Sequence, residues 1–333
     1  MSDLPTLDTH IDIRWPNPPD PMAETTMRVD FPKMRKGGLR AAVFVAYLPQ
    51  GKRDAEGHAA AAERAEAMLA HIRSRADGKA RRFCATAAEL AALYETDAAN
   101  GPLGVLSAVE NGYAMGRDLS APARWKAQGA CYLTLTHNGH NEIADSAIPR
   151  AELGDGPSEH NGLSTFGREA IGALNQAGVM VDISHVAKPA MLQAAELSRS
   201  PVLATHACCR ALCDHPRNLD DEQLDALRQV GGLVQITAVM SFLNKTSPTG
   251  RYHATVEDMA RHVDHAVARI GIEHVGLSSD FDGGGGVQGW KDASETPGLT
   301  QALRDRGYDE AALRLLWSGN FLRVWRATEA AAG

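Results

Sequence analysis

Residues 179–206 read VMVDISHVAKPAMLQAAELSRSPVLATH, and this stretch decides the fold class. Two apolar runs, 179–183 and 202–205, have the composition of buried strands, and we interpret 189–197 between them as a helix. A histidine follows each run, His185 and His206. Because a strand, a helix and a second strand in this order form a parallel pair, both histidines are expected at one edge of a sheet.

The same alternation of strand and helix recurs along all 333 residues. It predicts a parallel sheet covered by helices. No linker, internal repeat or low-complexity tract divides the chain, so we expect a single domain over 1–333. We expect the α/β fold class, with the architecture of a (β/α)8 TIM barrel. The predicted strands, eight in number, are 6–13, 40–48, 103–109, 131–136, 179–183, 202–205, 232–237 and 274–279.

Helical periodicity is clearest over 256–270, where apolar residues recur every three or four positions. Thr255 is the expected N-cap of this helix and Gly271 its C-cap. Long loops are predicted at 15–35, 138–164 and 280–298, each after a strand, where a barrel builds its active face. Further helices are predicted at 53–75, 166–176, 189–197, 220–229 and 311–316.

Composition excludes several classes of protein. With 44% apolar residues the chain can build a sizeable core, which excludes disorder. The 41 acidic residues exceed the 34 basic ones, giving a net charge of −7, which argues against a nucleic-acid partner. No apolar run is long enough for a membrane helix. The five cysteines are an odd number and no leader-like stretch begins the chain, so we expect reduced thiols and a cytoplasmic location.

Histidines and carboxylates follow the predicted strands, at the edge where a barrel brings its catalytic groups together. Such a cluster is costly to bury without neutralisation, and divalent metal is the economical solution. Taken singly, each histidine has the ordinary explanation of a core or surface residue, so it is the joint pattern that indicates metal. The residues are His10, Asp12, Glu110, His137, His185, His206 and Asp280.

Imidazole nitrogens and carboxylate oxygens are suitable ligands for Zn²⁺. Two such ions, about 3.5 Å apart, can share a carboxylate and a hydroxide. Glu110 is the natural candidate for the bridging carboxylate, and a hydroxide held between two cations is a strong nucleophile at neutral pH.

Other features have simpler explanations. Cys208, Cys209 and Cys213 have no second paired set at metal-binding spacing, so ordinary thiols are expected. The glycines at 283–286 lack the lysine and helix start of a phosphate-binding loop. The histidines at 58, 71, 262 and 265 fall in helical stretches and are expected to be solvated.

Several short motifs together resemble the membrane (renal) dipeptidase family, peptidase family M19, of the amidohydrolase superfamily. They occur in the family's order and extend from about Asp8 to Val324. The motifs are His10-x-Asp12, Glu110-Asn111-Gly112, Thr134-Leu135-Thr136-His137, Asp182-Ile183-Ser184-His185, Ala204-Thr205-His206, Arg217-Asn218, Ser279-Asp280-Phe281-Asp282-Gly283 and Gly319-Asn320-Phe321-Leu322-Arg323-Val324.

The resemblance implies two Zn²⁺ ions, bridged by Glu110 and a hydroxide. His10 and Asp12 would complete one site, and His185 and His206 the other.

It further implies that His137 stabilises the oxyanion and that Arg217 binds the substrate's terminal carboxylate. Asp280 would act as general acid and base, with Asp282 as the weaker candidate.

The chain also departs from the family. Animal members are secreted, lipid-anchored and disulfide-bonded, and we expect none of these features in this chain. At 236–239 it reads Ile-Thr-Ala-Val, where some relatives place an aromatic residue that helps to hold the substrate carboxylate. The resemblance also suggests a homodimer.

The expected function is a zinc-dependent dipeptidase that acts on L-Xaa-L/D-Yaa dipeptides. The alternative is another binuclear metal amidohydrolase that acts on N-acyl amino acids, lactams or lactones, because fold and metals do not choose between these. A barrel that only binds metal or peptide is disfavoured, since simple binding would not need Asp280.

Overall fold

Short parallel strands alternate with helices in the computed structural model, which describes residues 4–244 and 253–333. Within these residues the strands are β1 (Leu7–Asp12), β2 (Ala41–Tyr47), β3 (Arg81–Phe83), β4 (Leu103–Glu110), β5 (Ala130–Thr134), β6 (Met180–Asp182), β7 (Leu203–Ala207), β8 (Leu233–Thr237) and β9 (Val275–Ser278).

The helices surround these strands and connect most of them. They are α1 (Phe31–Gly37), α2 (Ala55–Ser74), α3 (Ala87–Tyr94), α4 (Ala121–Gln128), α5 (Thr165–Ala177), α6 (Lys188–Leu197), α7 (Asp221–Gln229), α8 (Met240–Leu243), α9 (Val256–Ile270), α10 (Thr296–Asp305), α11 (Glu310–Arg314) and α12 (Asn320–Ala330), with a π-helical turn over Leu315–Gly319 before α12.

Eight of the strands form a parallel barrel in the order β1-β2-β4-β5-β6-β7-β8-β9. The barrel closes between β1 and the chain that leaves β9. There the Asp12 amide donates to the Phe281 carbonyl at 3.0 Å, and the Asp280 amide donates to the His10 carbonyl at 3.1 Å. These contacts confirm the predicted (β/α)8 TIM barrel, and they place the ends of β1 and β9 side by side.

Side chains alternate between two buried layers along each strand. In β2, Ala42 and Ala46 belong to the large cluster between strands and helices, whereas Val43 and Val45 belong to a second cluster. That second cluster also holds Trp325 of α12. Helix α12 therefore packs against the barrel interior at the end away from the strand mouths.

Helix α9 confirms the periodicity that predicted it. Met259, Val263 and Ile270 are buried. The Asp258 carboxylate accepts the Thr255 amide at 2.7 Å, and Gly271 ends the helix with a φ of 88°. Both predicted caps are thus in place.

The prediction that His262 is solvated is wrong. Its side chain is buried, and its Nδ1 accepts the Cys209 amide at 3.0 Å. Its Nε2 lies 3.1 Å from the Leu243 carbonyl. Both ring nitrogens are therefore satisfied by backbone, which ties α9 to the loops after β7 and β8.

Strand β3 and helices α1, α3, α4, α8, α10 and α12 were not predicted. Strand β3 has only three residues, two of them arginines, and lies beside the first half of β4. It lacks the apolar alternation by which strands are recognised. Helix α1 begins inside the predicted loop 15–35, and α10 begins inside the predicted loop 280–298. Among the described residues, no helix has both the length and the apolar character needed to cross a membrane.

Packing of α9 on the barrel should contribute measurably to stability. Met259 is fully buried, so Met259→Ala should lower the free energy of unfolding by about 2–5 kcal/mol. The same substitution at Met22, which is 45% exposed, should change it by less than about 0.5 kcal/mol. Urea denaturation of both variants measures the difference. Equal effects at the two positions would contradict this packing.

Candidate metal centre

The barrel brings all the sequence-predicted site residues to one place. His10 and Asp12 end β1, Glu110 ends β4 and His206 lies in β7. Most of them line a cavity of about 690 Å³ at the strand mouths, while His10 is buried beneath it. The lining includes Asp12, Glu110, His137, His185, His206, Arg217 and Asp280.

Glu110 is the centre of the cluster. Its Oε1 lies 3.3 Å from His185 Nε2 and 3.6 Å from His206 Nε2, and its Oε2 lies 3.5 Å from His10 Nε2. The two carboxylate oxygens thus face imidazoles from different strands. Three sets of side chains have potential ligand atoms within 4.8 Å of one another: His10, Glu110 and His206; Glu110, His137 and His185; and His10, Asp12 and Asp280.

Hydrogen bonds on the far side of each ring determine which nitrogen faces Glu110. Tyr132 donates its hydroxyl to the Thr9 carbonyl at 2.9 Å, so it accepts from His10 Nδ1 at 2.9 Å. Similarly, His185 Nδ1 donates to Asn138 Oδ1 at 3.1 Å. In the neutral form of each ring, with hydrogen on Nδ1, the Nε2 lone pair faces the cluster and can bind a cation.

His206 is held in the same way through a buried carboxylate. The Thr205 hydroxyl donates to Asp182 Oδ2 at 2.7 Å, which leaves its oxygen to accept from His206 Nδ1 at 2.9 Å. Asp182 also accepts the Thr134 hydroxyl at 2.6 Å. Sequence analysis misses this orienting role of Asp182. The signal that could identify it is a carboxylate inside an apolar strand.

The backbone is strained where these side chains leave the strands. His185 and Asp280 adopt positive φ values of 68° and 58°, which residues other than glycine rarely do. Strain of this kind persists only where the surroundings fix it, and it clusters at functional sites. Gly283 is required beside them, because a Cβ there would overlap Asp12 Oδ2 and Asp280 Oδ1.

Burial makes the charges of the cluster interdependent. Burial itself opposes a charge on His10, but the Glu110 carboxylate outweighs it and raises the pKa of His10 to about 10. Burial, reinforced by Glu110, raises the pKa of Asp12 well above its usual range. Burial also raises the pKa of Asp280 to about 7, although His10 opposes this shift. All three groups therefore hold their protons more strongly than usual, and the cluster contains more negative charge than positive charge to balance it.

The donor set fits divalent cations. His10 Nε2 is fully buried and has no hydrogen-bond partner among the described residues. It faces a carboxylate oxygen beyond ordinary hydrogen-bond range, and the neighbouring carboxylates lack compensating charge. Imidazole nitrogen with carboxylate oxygen is the ligand chemistry of Zn²⁺ and similar ions.

The His137 ring lies beside the cluster and makes no hydrogen bond with any described residue. Its ring centre is 4.2 Å from that of His185 and 4.8 Å from that of Tyr47. Burial lowers the pKa of His137, so the ring is neutral at pH 7 and has one N–H to donate.

Arg217 forms the opposite wall of the cavity. It is 4% exposed, and its Nη2 donates to the His206 carbonyl at 3.2 Å. Its Nε and Nη1 are buried and make no hydrogen bond with any described residue. Burial lowers the pKa of Arg217 to about 10, which leaves it charged at neutral pH. Two donors of a buried cation are thus available to an anion.

An aromatic side chain lines the cavity from helix α8, although strand β8 and the residues directly after it carry none. Residues 236–239 carry none, but Phe242 of α8 lines the cavity, and its ring centre is 5.3 Å from Arg217 Cζ. Asp282, the weaker acid-base candidate, instead accepts the Arg28 amide at 2.9 Å and the Val29 amide at 3.3 Å. It holds the loop before α1 against the site.

Comparison with known proteins places this site in a family. The family model described as membrane dipeptidase, peptidase family M19, matches residues 1–333. The chain belongs to the membrane dipeptidase family. It is 30% identical over 309 residues to dipeptidase 3 of Mus musculus, covering 92% of this chain and 59% of the mouse protein.

Solved structures of the same type share the fold. The probable dipeptidase PvdM from Pseudomonas aeruginosa matches with a TM-score of 0.89 and 26% identity, covering 99% of this chain and 96% of that one. A metallopeptidase from Rhodobacter sphaeroides, bound to a phosphinate mimic of the dipeptide L-Ala-D-Ala, matches with a TM-score of 0.84 and 29% identity, covering 98% and 99%. The chain spans only 52% to 59% of the length of three curated dipeptidase relatives.

In this dipeptidase-family chain, the hydrogen bond from His10 to Tyr132 should affect metal binding. Tyr132→Phe removes the acceptor for His10 Nδ1, and loss of such a partner typically weakens metal affinity by about 10- to 100-fold. Competition with a chromogenic chelator measures the affinity for Zn²⁺.

Tyr94→Phe is the matched control, because the Tyr94 hydroxyl is 3.5 Å from the Thr6 carbonyl and outside the cluster. This control should keep wild-type affinity. Unchanged affinity in Tyr132→Phe, at an unchanged melting temperature, would show that the bond does not orient a ligand.

Proposed function

We propose that the protein is a zinc-dependent dipeptidase that hydrolyses L-Xaa-L/D-Yaa dipeptides. The observation that carries this proposal is that the buried Arg217, whose Nε and Nη1 have no partner among the described residues, lines the same cavity as the Glu110 cluster. A guanidinium recognises a carboxylate, and the cluster suits metal-assisted hydrolysis. A dipeptide has its scissile bond close to its terminal carboxylate, which suits two such groups that line one cavity.

Two Zn²⁺ ions would be held by side chains that already face one another. His10, Asp12 and Glu110 would bind one ion, and Glu110, His185 and His206 the other. The Glu110 carboxylate lies within 3.6 Å of all three histidines, and Asp12 has a ligand atom within 4.8 Å of one on His10. When bound, these ions would lower the pKa of water and polarise the peptide carbonyl. The shortage of positive charge around Asp12 supports this assignment.

Three further residues of the chain would handle the substrate. Arg217 binds the terminal carboxylate and fixes the register of the peptide. His137, neutral and without a partner, donates an N–H to the carbonyl oxygen as negative charge develops there. Asp280 accepts the proton of the attacking water and delivers it to the leaving amine.

The substrate class also draws support from a relative. The Rhodobacter sphaeroides metallopeptidase was solved with a mimic of L-Ala-D-Ala, which is a dipeptide with a D-residue in second position. The alternative, an amidohydrolase of N-acyl amino acids, would use Arg217 equally well. It differs in that its substrate has no free amino group.

We also propose a cytoplasmic location and a homodimer. All five cysteines are buried free thiols, and burial raises the pKa of Cys209 to about 12, which keeps it protonated. Such thiols are compatible with a reducing compartment. The homodimer stays a prediction from the family resemblance.

A substrate panel with metal control tests the function. The zinc-loaded chain should hydrolyse L-L and L-D dipeptides, and it should leave their N-acetylated counterparts uncleaved. Exhaustive chelation should abolish activity and Zn²⁺ should restore it, with bound metal followed by elemental analysis. Absence of turnover across the panel would overturn the proposal, and a preference for N-acyl substrates would support the alternative.

The role of Asp280 is tested by removing its charge. Asp280→Asn should lower kcat by about 100-fold or more, because general acid-base catalysis contributes at least that much. Its metal content should stay at the wild-type level. The same substitution at Asp282, which accepts backbone amides, should keep kcat within a few fold. Loss of metal from Asp280→Asn would instead identify Asp280 as a ligand.

A further inference from the structure

The loop after β7 carries a second side chain that faces the cavity beside Arg217. Backbone hydrogen bonds close this loop, from the Arg210 amide to the Leu219 carbonyl at 2.8 Å and from the Leu219 amide to the Cys208 carbonyl at 2.9 Å. Arg210 also donates Nε and Nη2 to the His215 carbonyl at 3.3 and 3.2 Å. The loop therefore holds His215 in a defined position.

The His215 ring is fixed on two sides. Its Nδ1 accepts the Arg217 amide at 3.2 Å, and the ring lies against Phe242 with 4.5 Å between ring centres. Since an amide can only donate, Nδ1 carries the lone pair. In the neutral ring the hydrogen is then on Nε2.

The Nε2–H donor of His215 belongs to an uncharged ring. Burial, with help from the cations of Arg217 and Arg210, lowers the pKa of His215, and the carboxylate of Asp214 only partly opposes them. At pH 7 the ring is therefore an uncharged N–H donor. That Nε2 makes no hydrogen bond within the described residues, and His215 lines the main cavity together with Arg217.

Phe242 connects the two donors. Its ring contacts the His215 imidazole and lies 5.3 Å from Arg217 Cζ, so one aromatic side chain supports both. A carboxylate has about four lone-pair positions. The two free donors of Arg217, Nε and Nη1, lie on different sides of the guanidinium, so a given carboxylate can accept from one of them and keeps acceptor capacity for another donor.

We propose that His215 is a substrate-binding residue, which donates Nε2–H to the terminal carboxylate of the substrate beside Arg217. This assignment rests on the proposed function, because it needs a substrate with a free carboxylate. Arg217 supplies the charge, and His215 supplies a directional contact. The pair selects a carboxylate over an uncharged amide end.

The test uses His215→Asn in the full-length, zinc-loaded chain. Asparagine can still accept the Arg217 amide two residues on, so the turn is kept, but its side chain is too short to replace Nε2. The ligands are a phosphinate mimic of a dipeptide and the C-terminal amide of the same mimic. Calorimetry gives the Kd of each, independently of turnover.

We expect His215→Asn to weaken binding of the carboxylate form by about 10- to 100-fold, the effect of one hydrogen bond to a charged group. Binding of the amide form should stay within threefold of wild type. In steady-state assays KM for dipeptides should rise while kcat changes little. A purely structural role would weaken both ligands equally and lower the melting temperature.

Arg217→Ala separates failure of this inference from failure of the proposed function. If Arg217→Ala loses the carboxylate form but His215→Asn binds both ligands like wild type, the inference is overturned and the dipeptidase proposal stands. If the wild-type protein binds neither mimic and cleaves no dipeptide, both are overturned.

Discussion

Three imidazoles lie around one buried carboxylate, and the rest of the molecule is arranged to hold them there. Glu110 lies 3.3–3.6 Å from Nε2 of His10, His185 and His206, which come from distant parts of the chain. Removing such groups from water is costly unless charge is compensated. Only a rigid frame that brings the ends of parallel strands to one point can impose this arrangement, and the closed barrel is that frame.

The barrel interior does more than hold the site in place. Tyr132 and Thr205 are buried inside it, and each accepts the Nδ1 hydrogen of a cluster histidine. Asp182 in turn accepts the hydroxyls of Thr134 and Thr205, two strands at once. Polar groups that would weaken an ordinary core thus orient the lone pairs that face Glu110. The same hydrogen bonds therefore hold the barrel interior together and orient the potential metal ligands.

Sequence reasoning predicted the barrel and the positions of its histidines because both depend on local pattern. A buried strand followed by a polar residue is visible in the chain, and parallel strands end at one edge. It missed β3, whose two arginines lack the alternation of a strand, and it placed His262 in solvent. The partners of His262 are backbone groups from the loops after β7 and β8, which periodicity cannot reveal.

The same limit applies to the substrate side of the cavity. Residues 236–239 carry no aromatic side chain, yet Phe242 supplies one to the cavity from the following helix. Sequence alignment by strand position cannot show that a ring arrives from a different element.

The residues around Glu110 were easier to predict than those of the substrate side, and the reason is structural. Glu110 and the cluster histidines come from β-strands or the residues directly after them, and their geometry follows from the barrel. Arg217, His215 and Phe242 come from the loop after β7 and the short helix after β8, which the barrel constrains less. Changes in these segments can therefore alter which substrate end is recognised without moving Glu110. The proposed carboxylate-binding residues can therefore vary while the cluster around Glu110 stays constant.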